Sequence, residues 1–376
     1  MSFNQYTWDL YKQTTIGIEM IKYFSDAGGY VLFKDYCPYA NFIPEDLYND
    51  WLENIYCYGV SDYDHPSSLE EAKDLYISLI TLGIRVEGQQ WLPANDFKNM
   101  LGIIQPMSYV LSQFAPEYFF PYLFLCRIFE LNKIADFFNI DLPNIPKRTD
   151  YKGRCMYYWE LCEVFYLFRK ENGLSPADLW SFLYDFAPNN LPSEKIDMPK
   201  PSQVWFIGGR LYQEDKSLES KFWQSSPETK KGDILVHYET SPISAITCIE
   251  ISLTDGVIDP LFRYYGCIYI GNRINIPHIT LKELQTDEYF FKHPLVRKNF
   301  QGVNGWSVNS ENYSELLRMI KTKGFDIEVL PKLYAPTLPK DVIIEYEHDV
   351  EQQLLEPLLN SMLSLIHISE PTRLLS

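Results

Sequence analysis

Side chains able to act as nucleophiles, bases or metal ligands occur throughout this chain but do not gather into a catalytic pattern. The seven cysteines, at 37, 57, 126, 155, 162, 248 and 267, are odd in number and contain no Cys-x-x-Cys pair. Neither a disulfide framework nor a metal site is therefore predicted. Cys37, in Tyr36-Cys37-Pro38-Tyr39, has no base near it in sequence and reads as a buried thiol. His237 falls mid-strand beside Tyr238, which suits a packed strand residue better than a general base. With no nucleophile, base and metal ligands converging, a self-contained enzyme is the weakest reading. The basic residues Lys230, Lys231, Arg263 and Arg273, with Arg297 and Lys298, either contact phosphates or form a solvated face.

Charge limits what such contacts can be. Residues 1–199 carry 15 Lys/Arg against 27 Asp/Glu, residues 200–332 carry 16 against 16, and residues 333–376 carry 2 against 7. A chain with net charge −17 repels phosphate backbones, so salt-driven coating of nucleic acid is excluded and any contact belongs in the neutral middle. The N-terminus lacks a basic start followed by an apolar run, and no apolar stretch approaches the roughly 18 residues of a membrane span. Together with the cysteine usage, this predicts a cytoplasmic protein without membrane contact.

The elements that must position these residues change character along the chain. Residues 1–190 read as a mainly helical domain. Ser67-Ser68-Leu69-Glu70-Glu71 offers two overlapping capping boxes ahead of Leu75, Leu79, Ile80 and Leu82, and Gly83 stops the run. Residues 155–172 keep helical spacing up to Gly173. Ser175-Pro176-Ala177-Asp178 then starts a helix with Leu179, Phe182, Leu183 and Phe186 as its buried stripe, ending before Pro188. Residues 191–202, rich in Pro and Lys, read as a linker. Short β runs follow at 204–207, 234–238, 245–253 and 266–270, with Gly208-Gly209, Gly232-Asp233 and Asp255-Gly256 at turns and a capped helix after Asn309-Ser310. The expected fold class is α+β and multidomain, with a small barrel-like domain over 203–332. A Pro-rich linker is expected at 333–340 and an amphipathic helix at 341–363.

The middle domain resembles the EVE branch of the PUA-like fold. The resemblance rests on Val204-Trp205-Phe206-Ile207-Gly208-Gly209, Phe222-Trp223, the run from Lys231 through Gly232-Asp233 to His237-Tyr238, and Asn304-Gly305-Trp306-Ser307-Val308. It covers residues 203–330, roughly a third of the chain; the tract 255–297 is longer and richer in aromatics than in that family. The resemblance implies a PUA-like β-barrel with peripheral helices that holds one modified nucleobase among aromatic rings. A flipped base must recover its stacking from the protein, on the order of 1–3 kcal/mol per ring face. It assigns Trp205, Trp223 and Tyr238 to the cage, with Gly208, Gly209 and Ser241 beside it, and a partner that is nucleic acid, DNA with a modified base. Strand-core roles for the three rings are the competing reading. An RNA- or small-ligand-binding regulatory protein is the alternative function.

The segment from Glu347 to Leu359 is similar to the first helix of restriction-type PD-(D/E)xK nuclease domains, with Glu351 at the position that supports a magnesium site. A plain amphipathic helix explains it equally well. The later Asp and Asp/Glu-x-Lys residues are absent, so no cofactor is expected here, and magnesium only with a full nuclease domain. Residues 364–376 resemble translated read-through of a sequencing adapter. The implied whole is a defence protein in which a modified-base reader feeds a nuclease cut short in this sequence.

Overall fold

Local caps start most of the helices. The computed structural model describes residues 3–333 apart from 38–39, 41–42, 193–197 and 211–219, with the backbone alone of 220 and 221. Most of the expected 333–340 linker, the 341–363 helix with Glu351 and the 364–376 tail lie outside the described residues. The helical part comprises α1 (Gln5–Gln13), α2 (Thr15–Asp26), α3 (Gly29–Tyr36), α4 (Glu45–Ile55), α5 (Leu69–Leu82), α6 (Phe97–Met100), α7 (Ile104–Phe114), α8 (Ile128–Phe138), α9 (Tyr151–Glu171), α10 (Pro176–Ser181) and α11 (Ala187–Asn190). At α5 Ser68 Oγ accepts the Glu71 N–H at 3.2 Å, while the Glu71 carboxylate accepts from Ser67 N and Oγ. Gly83 closes α5 at φ +76°, where an added Cβ would lie 2.3 Å from the Leu92 carbonyl oxygen.

Two readings of the helical part differ from the structure, and in the sheet Gly208-Gly209, expected at a turn, complete the strand Val204–Gly209. A hairpin of β1 (Ile84–Val86) and β2 (Gln89–Leu92) interrupts the helices. Its Glu87 and Gly88 both take positive φ at the turn, a short-range feature that the helical spacing around it masks. After α10 the chain also stays helical through Pro188. A π-helical turn, Phe182–Phe186, leads without a break into α11, and the widened turn accommodates Pro188, which has no N–H to give to the turn before it.

The core of the helical part surrounds α9, whose Cys155, Tyr158, Trp159, Leu161, Cys162 and Phe165 are all buried. Against it runs a buried irregular segment, Phe119 to Phe124, whose backbone cannot reach water. Side chains satisfy it instead. Tyr158 Oη donates to the Phe120 carbonyl at 2.8 Å, Tyr184 Oη donates to the Pro121 carbonyl, and Ser108 Oγ accepts the Tyr122 N–H at 2.8 Å.

The sheet comprises β3 (Val204–Gly209), β4 (Ser220–Gln224), β5 (Ile234–Glu239), β6 (Ala245–Ser252), β7 (Val257–Ile258), β8 (Gly266–Thr280) and β9 (Trp306–Val308). Its order is β4-β8-β6-β5-β3-β9, with β7 also on β8. Only the β3–β5 pair is parallel among the described pairings. The sheet curls into a half-barrel. The curl brings Trp223, on edge strand β4, against Gly209 of β3. The chain is thus mixed α and β, with helices before the sheet and α12 (Leu281–Thr286), α13 (Pro294–Arg297) and α14 (Ser310–Thr322) after most of its strands.

Helices and sheet share one core, to which Phe222 of β4, Cys267 of β8 and Leu261 of the β7–β8 loop contribute, and residues 1–332 form one compact unit. Arg154 of α9 fastens the junction. Its guanidinium donates to the carbonyls of Pro260 (2.8 Å), Phe262 (2.6 Å) and Arg148 (3.0 Å), between the rings of Tyr151 and Tyr265. Beside it Asp259 is fully buried; Oδ1 accepts the N–H groups of Leu261 and Phe262, and Oδ2 has no partner. Burial pushes this carboxyl up to about 7, because the backbone donors and Arg154 offset only part of the lost hydration.

Candidate functional site

Strand alternation sorts the expected cage residues onto two faces. Trp205 and Ile207 of β3 point into the concave face with Leu235, Ile268 and Ile270, and Trp223 packs against this cluster. Tyr238 lies three residues beyond Leu235 on β5 and so faces the other way. There it stacks on Phe300 with centroids 4.0 Å apart and planes 4° apart. Phe300 also meets Phe206 edge-on, placing Tyr238 in the convex core. The structure brings Trp205 and Trp223 together and leaves Tyr238 out, so the three rings do not wall one cavity.

The other motif residues have packing partners of their own. Trp205 is 5% exposed, and its indole N–H donates to Asp233 Oδ2 at 2.9 Å. The same carboxylate accepts from Ser202, Gln203 and the Lys230 N–H. Asp233 of the Gly-Asp turn therefore ties the entry of β3 to the entry of β5. A Cβ on Gly208 would meet Val303 Cγ1 at 2.3 Å, and one on Gly209 would meet Trp223 Cζ2 at 2.5 Å. Both glycines make room for side chains. Ser241 is exposed at the β5–β6 turn, and its carbonyl accepts from Arg210 Nε.

The basic candidates are dispersed. Lys230 pairs loosely with Asp255 at 3.9 Å, both largely exposed, and the Lys231 N–H bonds the same carboxylate. Arg263 is exposed in the loop between β7 and β8. Arg273 turns into the fold, where it meets a buried charge.

That charge is Glu250. It lies on β6, 2% exposed, on the same face as His237 of β5. Glu250 Oε2 lies 3.0 Å from His237 Nδ1, and Oε1 accepts from Arg273 Nε at 2.8 Å. Arg273 Nη2 is 2.7 Å from the same oxygen as an ion pair without an aligned hydrogen bond. Burial alone would push the Glu250 carboxyl up; the bond and charge of His237 and the charge of Arg273 outweigh it and hold the group below the usual carboxylate range. At the far end of this chain of contacts, His237 Nε2 is fully buried with no hydrogen-bond partner. The half-buried Trp223 ring meets the imidazole at 4.7 Å, tilted 64°.

His237, Cys248 and Glu250 present an N, S and O donor set within 4.8 Å of one another. The arrangement suits a cation poorly. Arg273 already neutralises Glu250, and the Cys248 thiol, pushed up to about 12 by burial with Glu250 adding to it, holds its proton. What the site can do is offer one directional polar atom at the base of a ring-lined face. Glu250 was not singled out in the sequence, although a lone carboxylate inside the apolar run 245–253 signals a buried charge that needs a partner.

No family model and no curated protein matches this chain. Among solved structures it is similar to the NMR structure of Rpa0253 from Rhodopseudomonas palustris, at 13% identity and a TM-score of 0.28, covering 32% of this chain and 94% of that one. So slight a likeness bears on neither fold nor function. Among the described residues no helix is long and apolar enough to cross a membrane.

Proposed function

We propose that the half-barrel is a PUA-like reader that binds one nucleic-acid base, modified DNA first among the candidates, at Trp223 and His237. The observation that supports this reading is the unpartnered, fully buried His237 Nε2 beside a half-buried indole. A buried polar atom left unmade costs about 1–3 kcal/mol, which a ligand with a complementary edge recovers. Trp223 supplies the stacking face, and Glu250 with Arg273 holds the imidazole in place. Trp205 and Tyr238 serve as scaffold. The segment carrying Glu351 supports coupling to a restriction-type nuclease in a defence protein.

Titrating the full chain with short duplexes that differ only in one modified cytosine or adenine, read by tryptophan fluorescence, tests the reading. We expect tighter binding of a modified duplex, weakened about tenfold by Trp223→Ala. Equal, weak binding to every duplex ends it; preference for the matching RNA moves the site to RNA.

A further inference from the structure

The helical part carries a second surface with the features of a binding site. Between α4 and α7 lies a groove of about 330 Å³ lined by Leu52, Tyr56, His65, Tyr109, Val110, Gln113 and Phe114. Leu52 and Tyr56 stand one turn apart on one wall, as Tyr109 and Gln113 do on the other. His65 stacks on Phe114 at 4.1 Å and closes one end. The α4 wall does not continue as regular helix: Tyr56–Val60 is a π-helical turn, a widening that recurs where a helix serves a site. Along this turn Tyr56, which lines the groove, is 48% exposed and Tyr58 beside it 44%.

Charge says what fits. Residues 45–68 and 104–114, which build the groove, contain Glu45, Asp46, Asp50, Glu53, Asp62 and Asp64 and no lysine or arginine. All six carboxylates are exposed. Asp62 and Asp64 precede His65, and with no lysine or arginine in these segments the open tyrosine faces attract guanidinium and ammonium groups both through charge and through the ring quadrupole. The apolar floor of Leu52 and Val110 covers aliphatic stems. We infer that this groove docks a basic, partly aliphatic peptide segment of a partner protein. The site is separate from the base-reading face and stands without it.

Fluorescence anisotropy of the full chain with a short labelled peptide of alternating arginine and leucine tests the assignment. Peptides with glutamate for arginine, or serine for leucine, serve as controls. The arginine–leucine peptide should bind and the controls should not. Tyr56→Ala should weaken binding about tenfold, and Gln113→Lys, which adds a like charge without removing packing, should do so even if Tyr56→Ala unfolds. Asp62→Asn with Asp64→Asn should cost about threefold at low salt and nothing at high salt. Tyr6→Ala, on the exposed face of α1, should change nothing. The inference fails if the glutamate peptide binds as well, if the peptide does not bind, or if folded Tyr56→Ala and Gln113→Lys variants bind as wild type. It also fails if sedimentation shows self-association that Gln113→Lys abolishes, since a second copy would then fill the groove.

Discussion

Two buried carboxylates, one on the concave face of the sheet and one at the helix–sheet junction, show how differently this molecule treats the same group. Glu250 and Asp259 are 2% and 0% exposed. Glu250 lies below its usual range and Asp259 is raised to about 7. Burial penalises both, and the neighbours differ. Glu250 meets a guanidinium and an imidazole, whereas Asp259 meets two backbone N–H groups and an arginine that directs its donors to carbonyl oxygens. A buried carboxylate stays charged where a cation contacts it directly and drifts toward its neutral form where only dipoles do. The first arrangement makes a rigid polar floor; the second makes a junction sensitive to proton concentration.

The largest change should come from removing the junction's cation. Arg154→Ala strips three carbonyl oxygens of their donor and leaves Asp259 without its compensating charge, and should cost about 3–5 kcal/mol in denaturant unfolding. A loss below 1 kcal/mol would show that water replaces the guanidinium freely.

Asp259 itself should act through pH. Its folded value of about 7 lies above its ordinary 3.8, so its contribution to stability is full below about 4 and is lost as pH rises through 7. Asp259→Asn removes that loss. The variant should gain on the order of 3 kcal/mol over wild type at pH 8 and little at pH 4. A difference that does not change with pH would mean that the carboxyl is ionised throughout.

Arg273→Ala sharpens the contrast from the other side, by leaving Glu250 with His237 alone. Arg273 keeps 21% of its side chain exposed, so the cost is discounted for solvent to about 2 kcal/mol. Glu250→Gln with Arg273→Ala should recover part of that loss, and the coupling can be read from a double-mutant cycle. Additive losses would separate the two residues energetically.

The smallest effect belongs to Gly209→Ala. Its Cβ would stand 2.5 Å from Trp223, so the ring must shift, at about 1–2 kcal/mol. Base binding should fall with it, because the shifted ring is the proposed stacking face. Unchanged binding together with unchanged stability would place Trp223 elsewhere.

Much of the framework was legible in the residues alone. The caps at Ser68, Ser175 and Asn309, the stop at Gly83 and the strands beginning at Val204, Ile234, Ala245 and Gly266 stand where their spacing implies. These signals act within a few residues, through one side chain and the nearest unpaired N–H, and so survive in any fold. The function of the aromatic residues was not legible in this way. Trp205 and Tyr238 are alike in type and motif, yet register sends one to an indole–carboxylate bond with Asp233 and the other to Phe300 on the opposite face.

Partner choice for buried charge was decided at still longer range. Arg273 meets Glu250 across 23 residues, and Arg154 reaches the Pro260 carbonyl across 106. A sequence can show that Glu250 sits in an apolar run and must find a partner. Only the pairing of β6 with β8, and the curl that carries β4 over β3, determine which cation arrives and which ring nitrogen is left unpaired. Local hydrogen bonds are written in neighbours, whereas desolvation is a property of everything that closes around a group.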